Sequence, residues 1–279
     1  FTPTILNSTI ILGCFFINDY WTIKSLPLAI ATVSGGIIQI IFILIIITKL
    51  KIFNLNNLNQ ISHYKINNNS MKFHVKETWK KFIPAAFGGG ILQINLLVDT
   101  ILASLLGFGS ISYLYFADRI AQLPLGIIGI ALGTSLLTSL SKSNANRDAL
   151  QFSKELIISF KIGLFFSIPA AFVFINYCDL LVKVLFERGD FSVQETIQTS
   201  KALLAYAFGI PAFIMLKSCQ PAFLAEGNTK TPMYIGLILL VLNIILSFTL
   251  MTFLKHVGIA LATSIVAWIG TIIYIILLL

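Results

Sequence analysis

Within "YLYFADRIAQLPLGIIGIALG", residues 113–133, Asp118 and Arg119 stand side by side in an otherwise apolar run. A guanidinium is a planar fork of five N–H donors that keeps its charge and matches the oxygen geometry of a carboxylate or a phosphate. At the centre of a bilayer such a group costs about 2.5–3.5 kcal/mol on insertion scales, so something must offset it. Gln122 follows Asp118 by four residues and Arg119 by three, which places the three polar side chains in one sector of a helix. Two chemistries fit that sector. One is an internal lock, with Arg119 held by Asp118 or by backbone carbonyls. The other is a binding site for the phosphate or carboxylate of an anionic substrate. Pro124, Gly126, Gly129 and Gly133 follow on the same helix. The proline removes one backbone hydrogen bond and the glycines offer close packing, so a bend is expected here.

A second polar set lies in other apolar runs: Asp99, Asn243, Ser247 and Thr263. All carry oxygen atoms, and if they converge they suit a small hard cation such as sodium. The competing reading is polar contacts between helices, worth about 1 kcal/mol each or less.

These side chains need a scaffold, and composition names its class. The 279 residues are 57% hydrophobic and 11% charged, with a mean hydropathy of +0.91, too apolar for a water-soluble domain. Apolar runs of roughly 18 to 25 residues, enough for a hydrocarbon core about 30 Å thick, recur near 1–18, 27–48, 82–106, 112–139, 154–176, 194–218, 232–254 and 256–279. The expected fold is an all-α polytopic membrane protein with about eight transmembrane helices. The chain begins with Phe1 inside an apolar run, without the charged n-region of a signal peptide, and reads as an internal fragment.

Lysine and arginine set the expected orientation, because short cytoplasmic loops are enriched in them. With residue 1 on the cytoplasmic side, thirteen of the nineteen cations fall on cytoplasmic connections, among them Lys49, Lys80, Lys142, Arg147, Lys217 and Lys230. The opposite side holds Lys24, Lys183, Arg188 and Lys255. The net charge of +8 is thus topological, with anionic membrane lipids as its partners and no nucleic acid implied. Cys14, Cys178 and Cys219 lack CxxC spacing, and His63, His74 and His256 form no metal motif. No nucleophile or nucleotide motif appears, so no enzyme is indicated.

Residues 49–81 form the one extended polar piece, Asn-rich and basic, with an amphipathic helix expected over "VKETWKKFI" before a span that begins at Pro84. Gln39, Gln93 and Asn95 are expected to satisfy one another or cavity water, and the long stems of Lys201 and Lys217 to snorkel. "FERGDFS" reads as a helix end at Gly189 followed by a new helix capped by Ser192 and Glu195.

Four blocks carry a family resemblance: "YFADRIAQLPLGIIGIALGTSLLTSLS", "LQINLLVDTILASLLGFGSISYLY", "VLFERGDFS" and "AFLAEGNTKTPMYIG". Together they resemble the MurJ/MviN family of lipid II flippases, in the multidrug/oligosaccharidyl-lipid/polysaccharide exporter superfamily. The resemblance covers nearly the whole chain. It implies a fourteen-helix, two-lobe fold, of which this chain would hold helices 5 to 12. Residues 1–48 would be the last two helices of the first lobe, 49–81 a cytoplasmic basic linker, and 82–279 the first six helices of the second lobe.

The resemblance further implies flipping of lipid II, the undecaprenyl-pyrophosphate-linked peptidoglycan precursor, across the bacterial inner membrane by alternating access. Arg119 would meet the pyrophosphate, Asp118 would orient Arg119, and Gln122 would add a donor. Sodium or the membrane potential would be the coupling source, and the cell-wall synthesis machinery a partner. Some relatives are thought to have a further carboxylate in the seventh span where this chain has Ser247. The alternatives are an exporter of another lipid-linked oligosaccharide or a drug-like cargo, and an inactive membrane scaffold left by a split gene.

Overall fold

A computed structural model describes residues 2–17, 26–49 and 68–278. The chain divides into two compact units, Phe1–Met71 and Lys72–Leu279. All regular structure among the described residues is helical: α1 (Thr2–Ile17), α2 (Leu26–Lys49), α3 (Asn68–Ser104), α4 (Ser110–Pro124), a π-helical turn (Leu125–Gly129), α5 (Ile130–Ala145), α6 (Ala149–Phe186), α7 (Val193–Ala207), α8 (Ile210–Ala225), α9 (Lys230–Leu254) and α10 (His256–Leu278). Six of the helical stretches are long and apolar enough to cross a membrane, or seven when α7 and α8, bent by 45°, count as one span. The chain is a multi-pass membrane protein.

In the first unit, α1 and α2 cross where small residues meet. A methyl group on Gly13 would collide with the Cβ of Ala31, and one on Gly35 with Thr9. Without a hydrophobic driving force between helices in lipid, this close backbone approach is what makes the pair adhere.

The second unit repeats that logic on a larger scale. On α6, Ser159, Gly163, Ser167 and Ala171 are buried at four-residue spacing, while Phe165, Phe166, Ile168 and Phe172 point outward. The small and polar stripe faces protein and the large apolar one faces outward, the reverse of a soluble helix. The core gathers Ala117, Ile120 and Ala121 of α4, Ala202, Leu203 and Tyr206 of α7, Ile259 and Ala260 of α10, Val182 of α6, and Leu102 and Ala103 of α3. Burying the 114–117–121–124 face of α4 turns its polar sector away from that core, which is how the fold accommodates Asp118 and Arg119.

Two connections behave as their sequence requires. Between α3 and α4 the chain turns at Gly109, whose φ of 88° is open to glycine but strained for other residues. Between α6 and α7, Gly189 takes φ 61° and Ser192 with Glu195 forms a complete capping box. Replacing Ser192 with alanine is expected to destabilise the protein by about 1 kcal/mol, read as a lowered midpoint of thermal unfolding in detergent, with Ser192→Asp retaining wild-type stability.

Residues 75–83 do not form a separate short helix. They are the early part of α3, which continues through Pro84 without ending. Trp79 and Phe82 are exposed there, with ring centroids 5.5 Å apart and edge to face. Lys51, Lys65 and His63 of the basic linker lie outside the described residues.

The α7–α8 break frees backbone carbonyls at a depth where water is scarce. α10 answers them: Ser264 Oγ donates to the Ala205 carbonyl at 2.7 Å and Trp268 Nε1 to Phe208 at 2.9 Å, while Thr271 Oγ1 adds a bond at 3.1 Å to Ala212, within the first turn of α8. A broken span is stable when a neighbouring helix supplies such donors.

Candidate functional site

A cavity of about 580 Å³ opens in the second unit. Its wall takes Asn95 and Asp99 from α3, Tyr115, Asp118, Arg119 and Gln122 from α4, Tyr206 from α7, Lys217 from α8 and Thr263 from α10. The floor at one end is the π-helical turn, through Leu125 and Gly126. Both polar sets read from the sequence therefore reach one space.

The α4 sector is ordered differently from the expected lock. Neighbouring residues on a helix point roughly 100° apart, so Asp118 does not face Arg119. The Asp118 carboxylate instead accepts a hydrogen bond from Gln122 Nε2, one turn on. Arg119 turns the other way, to Tyr115 one turn back, and its Cζ lies 4.8 Å from the ring centroid. The one ion pair among the described residues is Lys183–Glu187, at 4.0 Å and outside this cavity. The Arg119 fork is thus not spent on a carboxylate. Asp118 and Arg119 form no ion pair, and the ring of Tyr115 lies beside the Arg119 guanidinium.

Lys217 is a second correction. The charge count puts it on a cytoplasmic connection with a snorkelling stem, close to the end of its helix, yet the residue lies in the middle of α8 and lines the cavity. Its stem passes over the helix opposite, where a methyl on Gly129 would sit 3.5 Å from its Cγ, and one on Gly133 would sit 3.1 Å from its carbonyl oxygen. Gly129, the last residue of the π turn, and Gly133, four residues on, lie against this lysine's stem and its backbone carbonyl. The signal was the glycine pair, but which lysine it would serve needed the fold.

The second set converges in part. Asp99 and Thr263 face the cavity, with Thr263 Oγ1 donating to the Ile259 carbonyl at 3.0 Å. Asn243 and Ser247 are fully buried behind them. A chain of donors leads forward: Ser247 Oγ to Asn243 Oδ1 at 2.6 Å, Asn243 Nδ2 to Asn95 Oδ1 at 2.9 Å, and Asn95 Nδ2 to Asp99 Oδ2 at 3.4 Å. The other carboxylate oxygen of Asp99, Oδ1, is buried and has no protein partner. Asn95, expected only to settle its own hydrogen bonds, is the link between α3 and α9. Gln93 is exposed.

Comparison with known proteins assigns the family. A family model described as lipid II flippase MurJ matches residues 1–279. A probable lipid II flippase of Rickettsia prowazekii is 34% identical over 268 residues, 96% of this chain and 50% of that protein. One from Vibrio cholerae is 32% identical over 97% of this chain and 50% of its own length. A solved lipid II flippase in an inward closed conformation superposes with a TM-score of 0.78 at 30% identity, covering 99% of this chain and 55% of that one. An outward-facing multidrug resistance transporter of the MATE family superposes at 0.63 with 17% identity over 70% of this chain and 43% of its own, a likeness of fold alone. The chain spans about half the length of the curated relatives it matches. Matched along its whole length, and carrying its polar groups on a cavity between spans, the chain belongs to the lipid II flippase MurJ family.

Proposed function

We propose that this chain is the part of a flippase that grips the head of lipid II, the undecaprenyl-pyrophosphate-linked peptidoglycan precursor, while it crosses the bacterial inner membrane by alternating access. The observation that carries the reading is a guanidinium that lines the cavity and forms no ion pair among the described residues. A guanidinium that lines a cavity within a membrane span without an ion pair is costly, and an anionic ligand is what offsets it. Arg119 would take the pyrophosphate oxygens, Lys217 would add a second positive charge, and Gln122, held by Asp118, would present its remaining N–H to a sugar or peptide carbonyl. The two cations disfavour a drug-like cation as cargo.

Residues 1–48 would close the first lobe and residues 82–279 would begin the second, with 49–81 running along the cytoplasmic face. Residue 1 would lie on that face, where the basic loops meet anionic headgroups. Asp99, with Thr263 at the cavity and Asn243 and Ser247 behind, is the place for a coupling cation such as sodium; the membrane potential acting on the charged cavity is the other coupling source. The cell-wall synthesis machinery would receive the flipped lipid.

The test is growth. A bacterium depleted of its own flippase and supplied with a full-length protein carrying this segment is expected to resume growth and to expose lipid II to a membrane-impermeant reagent outside. A protein that inserts at normal levels yet restores neither would overturn the reading.

A further inference from the structure

The cavity arginine is held in place by an aromatic ring. We infer that Tyr115 is the positioning residue of Arg119, a platform that fixes the guanidinium plane so that its N–H edge faces the ligand; this rests on the anion-binding reading of the cavity.

The geometry has three parts. First, Tyr115 precedes Arg119 by four residues on α4, so the two side chains lie over each other on one helix face. The guanidinium carbon stands 4.8 Å from the ring centroid, inside the range of cation–π attraction. Second, both residues line the cavity and both are exposed to it. The contact is therefore not a by-product of core packing. Third, the carboxylate next in sequence is engaged elsewhere, since Asp118 accepts from Gln122.

The choice of partner has a chemical consequence. A carboxylate would consume two of the five guanidinium donors in a bidentate pair and would neutralise the charge that the ligand needs. The face of a ring offers no lone pair to those donors, so a guanidinium lying flat on it, the arrangement inferred here, keeps its in-plane N–H groups for the ligand. An arginine on such a platform is ordered before the ligand arrives, so less side-chain entropy is lost on binding. It also has no ion pair among the described residues for a pyrophosphate to displace. Tyr115 additionally meets Phe116 edge to face at 5.8 Å, which limits the rotation of the platform itself.

The ring, not the hydroxyl, carries this role, and that makes it testable. The full-length membrane protein in lipid nanodiscs, labelled with 15N-arginine, is compared as wild type, Tyr115→Phe, Tyr115→Leu and Arg119→Ala, the last of these assigning the Arg119 Nε–H signal. A ring-current displacement of that signal is expected in wild type and in Tyr115→Phe, and its loss in Tyr115→Leu. Affinity for farnesyl pyrophosphate, measured on the same samples, is expected to fall about three- to tenfold in Tyr115→Leu, the range of an exposed to partly desolvated cation–π contact, and to hold in Tyr115→Phe. In an Arg119→Ala background, Tyr115→Leu should weaken binding no further.

An Arg119 signal that ignores Tyr115→Leu overturns the stacking. A signal that moves while affinity stays constant overturns the positioning role, as does an equal loss of affinity with and without Arg119. A wild-type protein that holds no pyrophosphate probe, yet shows the displaced signal, overturns the anion-binding reading and with it the ligand-directed role of Tyr115, and leaves the stacking standing as structure alone.

Discussion

Arg119→Ala is expected to abolish growth rescue while the protein still inserts and accumulates in the membrane. The residue is exposed to the cavity and forms no ion pair among the described residues, so its removal empties no packed space and strands no buried partner. What it removes is a charge-assisted contact to the ligand, worth about 3 kcal/mol, on the order of a hundredfold in affinity. Arg119→Lys keeps the charge and loses the fork, and is expected to restore growth only partly. Lys217→Met, which preserves the stem over Gly129, is expected to give a smaller defect of the same sign. Full rescue by Arg119→Ala at matched expression would remove Arg119 from the binding site.

Gly258→Val is expected to destabilise the packing of the last two helices. A side chain there would collide with the backbone carbonyl of Leu250 and lie 2.9 Å from the amide nitrogen of Met251. Both belong to α9, whose backbone cannot step aside as a flexible side chain would. Overpacking of this kind costs about 1–3 kcal/mol and more where backbone must move, which lowers the thermal midpoint in detergent by roughly 5–10 °C in a protein of this size. Gly258→Ala should show a smaller shift in the same direction. An unchanged midpoint in Gly258→Val would mean that α9 and α10 meet elsewhere than at this glycine.

These two positions mark the difference between what the amino-acid sequence discloses and what it withholds. The polar sector of α4 was legible, because Asp118 and Gln122 obey the four-residue spacing of a helix whose other face is apolar. The Ser192–Glu195 cap was legible for a similar reason, since its partners are three residues apart. The apolar runs marked the helices. Their ends were less clear: α3 starts at Asn68 and carries its polar first turns through Pro84 as one continuous helix.

Adjacency misled once. Asp118 and Arg119 look like a pair in a line of text, but a helix separates consecutive residues by about a quarter turn and gives each its partner one turn away. Lys217 could not be placed from its neighbours, because its position depends on glycines some eighty residues earlier. Asn243 and Ser247 were correctly read as close to each other, but Asn95, which carries their donors to Asp99, belongs to a different helix. The α7–α8 break had a local cue, Gly209 before Pro211, whose meaning only emerges with α10 in place.

That break also bears on how the protein is made. Its carbonyls at Ala205 and Phe208 are met by donors 59 and 60 residues further along the chain. A ribosome working from the amino end therefore delivers the acceptors to the membrane well before Ser264 and Trp268 exist. Through that interval the α7–α8 segment must either stay at a wet interface or run straight, satisfying its own backbone. The donors of α10 thus reach the α7–α8 bend only after both of its helices have been made.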